Sequence, residues 1–490
     1  MMIIDTFTFY NELDLLEVRL TELWDVVDHF VLVEATVSFT GHPKPLHYAN
    51  NRARFEKFQS KIRHIIVEDM PMETDNWSRE HWQRNSISKG LCDCRDDDVV
   101  MISDIDEIPA AEAITRCRNL LTPYVMQQGM YYYYLNFRGG QWNGTTCWRF
   151  KDLALRTVQE LRDCRESLPV ITGGGWHFSF LGGVPAIQEK IYNYSHQEYN
   201  KPRILNEKNI QYSMITGRDL FGRRLMFSQV DVDELPCLVR AQPDKFRHLM
   251  VEIKGGEPRF TENWYPEYQS RSLNKLARRV RHLHGAVVEI GSWEGRSAIT
   301  LANASYPTEV FAVDTWGGNV GESPDHPSVV AATERDVFMQ FAVNINHMTR
   351  KNVFPFVMTS SEFLSCFKAP VKLCHIDACH DYHNVKRDIQ GVLRYVVPGG
   401  ILCGDDFANA HARRADLQGG VERAVRELLP GFRTKRNFWY WQKPCGWDLK
   451  TRVRRLAAGL PDFIVNSGFG QALLPPARSV TAQDVLLQME

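Results

Sequence analysis

The chain has no long hydrophobic run. Among its 490 residues no apolar stretch approaches the roughly 20 that cross a bilayer, so no helical membrane span is expected. It has no excess of either charge. Its 58 Lys and Arg stand against 59 Asp and Glu, which gives no electrostatic reason to expect nucleic acid or an anionic membrane as partner. The N-terminus lacks the basic region and cleavage site of a secretion signal, and a cytoplasmic location is the expectation. Cysteine pairing is missing too. The 11 cysteines are scattered and odd in number, and Cys92 and Cys94 have no second pair at metal spacing. A reducing compartment suits this pattern better than a disulfide framework. No internal repeat and no low-complexity segment is present.

What is there reads as globular. Hydrophobic residues make up 44% and charged residues 24%, and the length suits two or three domains. The organising stretch is residues 101–109, M-I-S-D-I-D-E-I-P. Residues 99–102 form a short apolar strand, and Asp104 and Asp106 follow it. In an extended backbone residues two apart point the same way, so both carboxylates are expected to face one spot beyond the strand. Open α/β sheets bind ligands there. Two convergent carboxylates suit Mg²⁺ or Mn²⁺ holding a diphosphate, although a solvated acidic turn has the same sequence. Strand and helix patterns alternate through residues 3–102, the signature of an α/β layered domain. Asn11 is a plausible helix N-cap. The aromatic runs 130–137 and 141–148 can stack on sugar rings or pack a sheet. In G-G-G-W-H-F-S, residues 173–179, glycines permit close backbone approach and His177 can supply a nitrogen ligand. Trp176 lies beside it.

These stretches carry a resemblance. Residues 5–20, 27–36, 39–46, 103–109, 174–179 and 195–199 match in order the pattern of glycosyltransferase family 17, the β-1,4-mannosyl-glycoprotein N-acetylglucosaminyltransferase type. The resemblance implies a nucleotide-sugar domain of the GT-A type, a divalent metal on Asp104 and Asp106, inversion at the transferred sugar, and UDP-N-acetylglucosamine as donor. Inverting transfer needs a base at the acceptor hydroxyl and charge stabilisation at the leaving diphosphate. Glu107, Glu198 and Asp219 are the base candidates, and the sequence does not choose. Glu12, Arg19, Glu34 and Trp176 are candidates for holding the nucleotide sugar. Each charged member can equally be a structural ion pair.

Residues 253–269 are rich in glycine, proline and polar side chains and mark the expected boundary. The expected division is 1–252, a linker and leading helix over 253–275, a second domain over 276–448, and a tail over 449–490 that serves packing or an oligomer contact. Beyond the boundary, A-V-V-E-I-G is a strand that ends at Gly291. A loop with Gly295 follows it, then a helix near Ser297. Free amides at such a helix start favour an anion. The next strand ends in Asp314, placed for ribose hydroxyls. With Glu289, this resembles class I S-adenosylmethionine-dependent methyltransferases, in which the loop meets the methionine carboxylate. Asp377, with His380 nearby, and the pair Asp405 and Asp406 end two further strands. They resemble the macrocin-type sugar O-methyltransferases, with Ala378 and Cys379 replacing the rest of an Asp-Gly-Asp. The implied chemistry is a divalent metal on Asp377, Asp405 and Asp406, with Asp377 or His380 taking the proton of a sugar hydroxyl.

The sequence thus reads as an α/β chain: a GT-A-type domain fused to a Rossmann-like methyltransferase domain, acting on an oligosaccharide or glycoconjugate. Two alternatives stay open. One is a glycosyltransferase with a non-catalytic methyltransferase-like scaffold, and the other is a module that binds glycan or cofactor without turnover.

Overall fold

The computed structural model describes every residue except 118–122, 252–256, 319–324, 409–418, 446–479, 482–484 and 486–490. Almost all of the 449–490 tail lies outside the described residues. The chain forms two compact units. The first is Met1–Ile210 with Leu225–Ile253, and the second is Gln211–Arg224 with Lys254–Glu490. The short segment Gln211–Arg224 therefore leaves the first unit for the second and returns.

The strands of the first unit are β1 (Ile3–Phe9), β2 (His29–Ala35), β3 (Ile62–Val67), β4 (Val99–Asp104), β5 (Glu107–Pro109), β6 (Tyr124–Tyr132), β7 (Phe137–Arg149), β8 (Val170–Ile171), β9 (Gly175–Ser179) and β10 (Ser228–Gln229). They form one sheet in the order β3-β2-β1-β4-β7-β6-β9-β5. The first four are parallel, and β7 joins β4 antiparallel. The parallel strands are apolar on both faces because helices cover both. Phe7, Leu32 and Met101 lie in one core cluster, and Ile4, Val33 and Ile102 lie in the other. The helix after β1 spans Leu13–Leu23 with Glu12, not Asn11, at its N-cap. The aromatic run 130–137 is core, since Tyr131, Tyr132 and Tyr133 are all buried.

The second unit carries β11 (Ala286–Ile290), β12 (Val310–Asp314), β13 (Val353–Val357), β14 (Val371–Ile376), β15 (Val396–Gly404), β16 (Arg433–Lys435) and β17 (Phe438–Gln442). Their order is β13-β12-β11-β14-β15-β17-β16. The first five are parallel and the last two are antiparallel. Counted from β11, this is 3-2-1-4-5-7-6, a doubly wound sheet whose order reverses beside β11. Ligands bind at such a reversal, beyond the strands' carboxyl ends. Among the described residues no helix is long and apolar enough to cross a membrane.

Candidate active sites

In the first unit the acids lie where the parallel strands end, but the backbone there is not extended. Asp104 closes β4, while Ile105 and Asp106 form a turn before β5. The alternation argument for two carboxylates facing one way does not hold across a turn. Parallel pairing sets Thr8 beside Asp104, and the Thr8 hydroxyl donates to Asp104 Oδ1 at 2.9 Å. Arg84 donates to the same oxygen at 2.9 Å, and Arg162 lies 3.7 Å from Oδ2. Burial alone raises the Asp104 carboxyl, but the two guanidinium groups outweigh it and hold it well below the usual range. Asp106 is held by Lys190, whose Nζ donates to Oδ2 at 2.8 Å and to Ser179 Oγ at 3.1 Å.

His177 joins Asp106 because β5 and β9 pair Glu107 with His177. Its Nε2 lies 3.9 Å from Asp106 Oδ2. Burial lowers the imidazole pKa more than the neighbouring acids raise it, so the ring is neutral at pH 7. Nδ1 is buried with no hydrogen-bond partner. A carboxylate oxygen and an imidazole nitrogen are donor types a divalent cation takes, but here Lys190 holds that oxygen. Asp104 meets the basic side chains first, and its role as a metal ligand is not what this geometry displays. Glu12 completes the cluster. Its Oε2 accepts from the amides of Tyr10 and Asn11 at 3.2 and 3.0 Å. Burial raises its pKa, Lys190 opposes that, and Asp106 adds to it.

Four of the expected residues turn out to be braces. Glu107 is buried. It accepts from Trp142 Nε1 at 2.6 Å and from Arg162, and its other oxygen takes the Asp104 amide at 3.1 Å. Both oxygens are committed, so it is not placed as a base. Arg19 is wholly buried and pairs with Asp5 through Nε and Nη2, both at 2.7 Å. Its Nη1 holds the carbonyls of Asp104, Ile105 and Glu107, leaving no donor for a nucleotide. Glu34 is buried, accepting the Tyr48 amide at 3.0 Å and facing His64 Nε2 at 3.1 Å. Trp176 alternates with His177 along β9, and its indole donates to the Glu234 carbonyl at 2.7 Å. Of the other base candidates, Glu198 is exposed and pairs with His196. Asp219 lies in the second unit, ringed by the Phe221 and Arg223 amides and the Arg223 side chain. Sequence reasoning missed Arg84, Arg162 and Lys190. The Glu80–Arg84 spacing of four on one helix was the one local signal, and the Arg84–Glu80 bond of 2.7 Å realises it.

In the second unit Gly291 (φ +87°) and Gly295 (φ +87°) shape the loop after β11. A Cβ on Gly291 would lie 2.1 Å from the Asp377 carbonyl oxygen, so only glycine lets the two strand ends approach. Gly295 begins the helix Arg296–Ser305 with no side-chain cap. Its first-turn amides, beside the buried Ser297, fit a carboxylate such as that of S-adenosylmethionine. Asp314 accepts the amides of Ser292, Trp293 and Trp316 at 2.8, 2.9 and 2.7 Å. It folds the loop, and the expected ribose contact is not its primary role. Burial raises its pKa despite the three amides. Glu289 is fully buried, bonded to Ser292 Oγ at 2.7 Å and facing His375 Nδ1 at 3.3 Å. It braces the loop from below and is not exposed to a cofactor.

Asp377, His380 and Asp406 bring one ligand atom each to within 4.8 Å of the others. Among the described residues this is the one group of three with such geometry. His380 Nε2 lies 3.0 Å from Asp406 Oδ2. Two carboxylates and an imidazole fit a divalent cation. The composition of the set differs from the expectation. His380 takes the third place, while Asp405 accepts from the Gln269 side-chain amide through Oδ2 and buries its Oδ1 without a partner. Burial, with Asp377 and Asp406 nearby, pushes the Asp405 carboxyl up to about 7.

The chain thus has two α/β units: one with an acid, histidine and lysine cluster after β4, and one with a doubly wound sheet and a second acid and histidine cluster. The comparisons agree with that division. Residues 1–230 match the model of glycosyltransferase family 17, and residues 288–407 match that of a methyltransferase domain. The chain carries a domain of each kind. Curated relatives include the β-1,4-mannosyl-glycoprotein 4-β-N-acetylglucosaminyltransferases of Rattus norvegicus and Homo sapiens. Each is 32% identical over 120 residues, which is 23% of this chain and 22% of the relative. The match thus spans about a fifth of the relatives' length. Solved structures include the O-methyltransferase NovP, at 17% identity and TM-score 0.28, covering 36% of this chain and 79% of that one. Cofactor-bound Rv0187 from MTB is 21% identical with TM-score 0.27, covering 39% of this chain and 85% of that one. The assignment of the second fold rests on its strand order.

Proposed function

We propose that the protein is a bifunctional glycan-modifying enzyme. The first unit performs metal-dependent, inverting glycosyl transfer with UDP-N-acetylglucosamine as donor, a choice supported by the N-acetylglucosaminyl group in the relatives' names. The second performs S-adenosylmethionine-dependent O-methylation of a sugar hydroxyl. The observation that carries the reading is the Asp377, His380 and Asp406 cluster at the strand ends of the second unit, beside the grouping of Asp106, His177 and Lys190 after β4 in the first.

In the first unit a divalent ion, when bound, neutralises a leaving diphosphate. The chain's own residues do the rest. Lys190 sets a positive charge against the same diphosphate, while the buried Arg84 and Arg162 hold Asp104 in place behind it. Glu12 is the proton acceptor this geometry favours, because burial keeps its carboxyl more basic than an ordinary glutamate. In the second unit Asp377, His380 and Asp406 would hold a cation, which would make a nearby sugar hydroxyl more acidic. The amides after Gly295 fix the amino-acid end of S-adenosylmethionine, and Asp314 keeps the loop that presents them in shape. The sugar oxygen takes the methyl group as the C–S bond breaks. S-adenosylhomocysteine leaves, and the hydroxyl proton passes to solvent. A cytoplasmic site of action remains part of the proposal.

Incubation with UDP-N-acetylglucosamine, Mn²⁺, a panel of oligosaccharides and methyl-labelled S-adenosylmethionine tests it. Saccharide carrying both the new sugar and the label is expected. Label in no saccharide, with sugar transfer intact, would establish the scaffold alternative for the second unit.

A further inference from the structure

Two lines of contact leave the acidic turn of the first unit and meet again at a single aromatic corner. The first follows the helix Asn76–Asn85. Arg84, on Asp104, shares a helix face with Trp77, seven residues and about 10 Å earlier. The second follows the helix Gly183–Asn193. Lys190, on Asp106, lies one turn before Tyr194, whose ring is 5.6 Å from that of His196. The lines close where His196 meets Trp77 edge-on, with ring centroids 4.6 Å apart and planes at 85°. The Ser195 hydroxyl donates to the Asn76 carbonyl at 3.4 Å and ties the two segments together.

The corner is exposed and polar-edged. Trp77 is 41% exposed, although large aromatic side chains gain most when buried. His196 Nδ1 lies 2.7 Å from Glu198 Oε1, and both side chains are about half exposed. The edge-on contact with His196 and the tilted one with His81, 6.4 Å between centroids, make no slot between parallel rings, and two-fifths of Trp77 stays in solvent. A nucleobase favours such a slot. A pyranose favours one apolar ring face flanked by a carboxylate and an imidazole that bond its hydroxyls.

We propose that Trp77, His196 and Glu198 form a subsite for a pyranose of the acceptor saccharide, one to two sugar units from the acidic turn. The assignment rests on the glycosyl-transfer reading above. It converts Glu198 from a base candidate into a hydroxyl acceptor remote from the bond being made. It also explains why the Trp77 indole is left in water on a helix whose Arg84 is buried at the site.

The test measures two affinities on the full-length protein. Methyl β-mannopyranoside and N,N′-diacetylchitobiose serve as saccharide probes by saturation-transfer NMR, and UDP with Mn²⁺ serves as the nucleotide probe by calorimetry. Wild type is expected to bind at least one saccharide. Trp77→Ala is expected to weaken that binding about fivefold or more, Trp77→Phe to restore most of it, and Glu198→Gln to weaken it less. UDP affinity should stay within about twofold in all three, which also reports an intact fold. Unchanged saccharide binding in Trp77→Ala, or no saccharide binding by wild type, overturns the proposal. A parallel loss of UDP affinity overturns it as well and assigns the corner to the nucleotide. Failure of wild type to bind UDP counts against the glycosyl-transfer reading, and the saccharide result then stands apart from it.

Discussion

Arg19 and Asp5 form a wholly buried two-pronged pair, Nε and Nη2 each 2.7 Å from a carboxylate oxygen. The same guanidinium holds three carbonyls of the acidic turn from beneath. Such a pair is weak evidence for stability in itself, but breaking it leaves a buried charge. Arg19→Met is expected to lower the stability of the first unit by about 3–5 kcal/mol, and Arg19→Met with Asp5→Leu to recover much of that loss. Chemical denaturation of the three proteins measures it. Glycosyl transfer should stay low in the double variant, because the turn has lost its anchor.

Lys190 occupies the Asp106 oxygen that a cation would use. Lys190→Ala is expected to tighten Mn²⁺ binding several-fold and to slow glycosyl transfer, since the leaving diphosphate loses a counter-charge. Calorimetry and steady-state kinetics on the same preparation separate the two effects. Weaker metal binding would place the ion elsewhere.

Glu12→Gln keeps the size of the side chain and the acceptor oxygen for the Tyr10 and Asn11 amides. It removes the proton acceptor. The expected outcome is a fall in kcat of about 10²-fold or more with UDP affinity little changed. A variant with full kcat shows that another group takes the proton.

Asp406→Asn and His380→Ala each remove one of three ligand atoms in the second unit. Divalent-metal affinity and methyl transfer are expected to fall together. S-adenosylmethionine affinity should hold, because the loop from Gly291 to Gly295 is untouched. Loss of cofactor binding in either variant would mean that the cluster props up the loop instead.

Lys372 tests the pH dependence of stability. It is buried in β14, donates to Thr308 Oγ1 at 2.9 Å, and is pushed down to about 8 by burial, with Arg281 adding to the effect. Between about pH 8 and the ordinary lysine range the unfolded chain keeps a proton that the folded chain has shed. Stability from this group therefore rises with pH across that window, and the full cost stands below about pH 8. Lys372→Met is expected to raise the unfolding temperature of the second unit at pH 7 and to flatten its rise between pH 8 and 10. Calorimetric scans across that range check both.

The placement of acids at strand ends was legible because a short apolar run followed by acids has few other homes in an α/β layer. Asp104, Asp106, Asp377 and Asp406 all sit at such ends. The loop after β11 was legible from its glycines and from the spacing to Asp314. What each polar side chain does there was not. Arg19, Glu34, Glu107 and Glu289 are the residue types that bind ligands, yet burial turned all four into braces. Burial depends on neighbours far along the chain, such as Arg162, 55 residues from Glu107. The basic partners Arg84, Arg162 and Lys190 come from three separate helices, so no spacing rule joins them to the turn. The tyrosines of 130–137 followed their other reading and pack the sheet.

The excursion of Gln211–Arg224 bears on how the two units can be parted. Tyr212 is buried among Phe338, Phe341 and Leu273, and its hydroxyl donates to the Val353 carbonyl at 2.7 Å. Arg218 reaches Glu309 at 2.6 Å. A single scission near residue 253 would strand these side chains on the wrong fragment and open a gap in the other's core. The chain crosses between the units three times, so separating them calls for two cuts and a short splice joining 210 to 225; a lone cleavage near 253 is expected to yield an N-terminal fragment that aggregates and a second unit with a gap in its core.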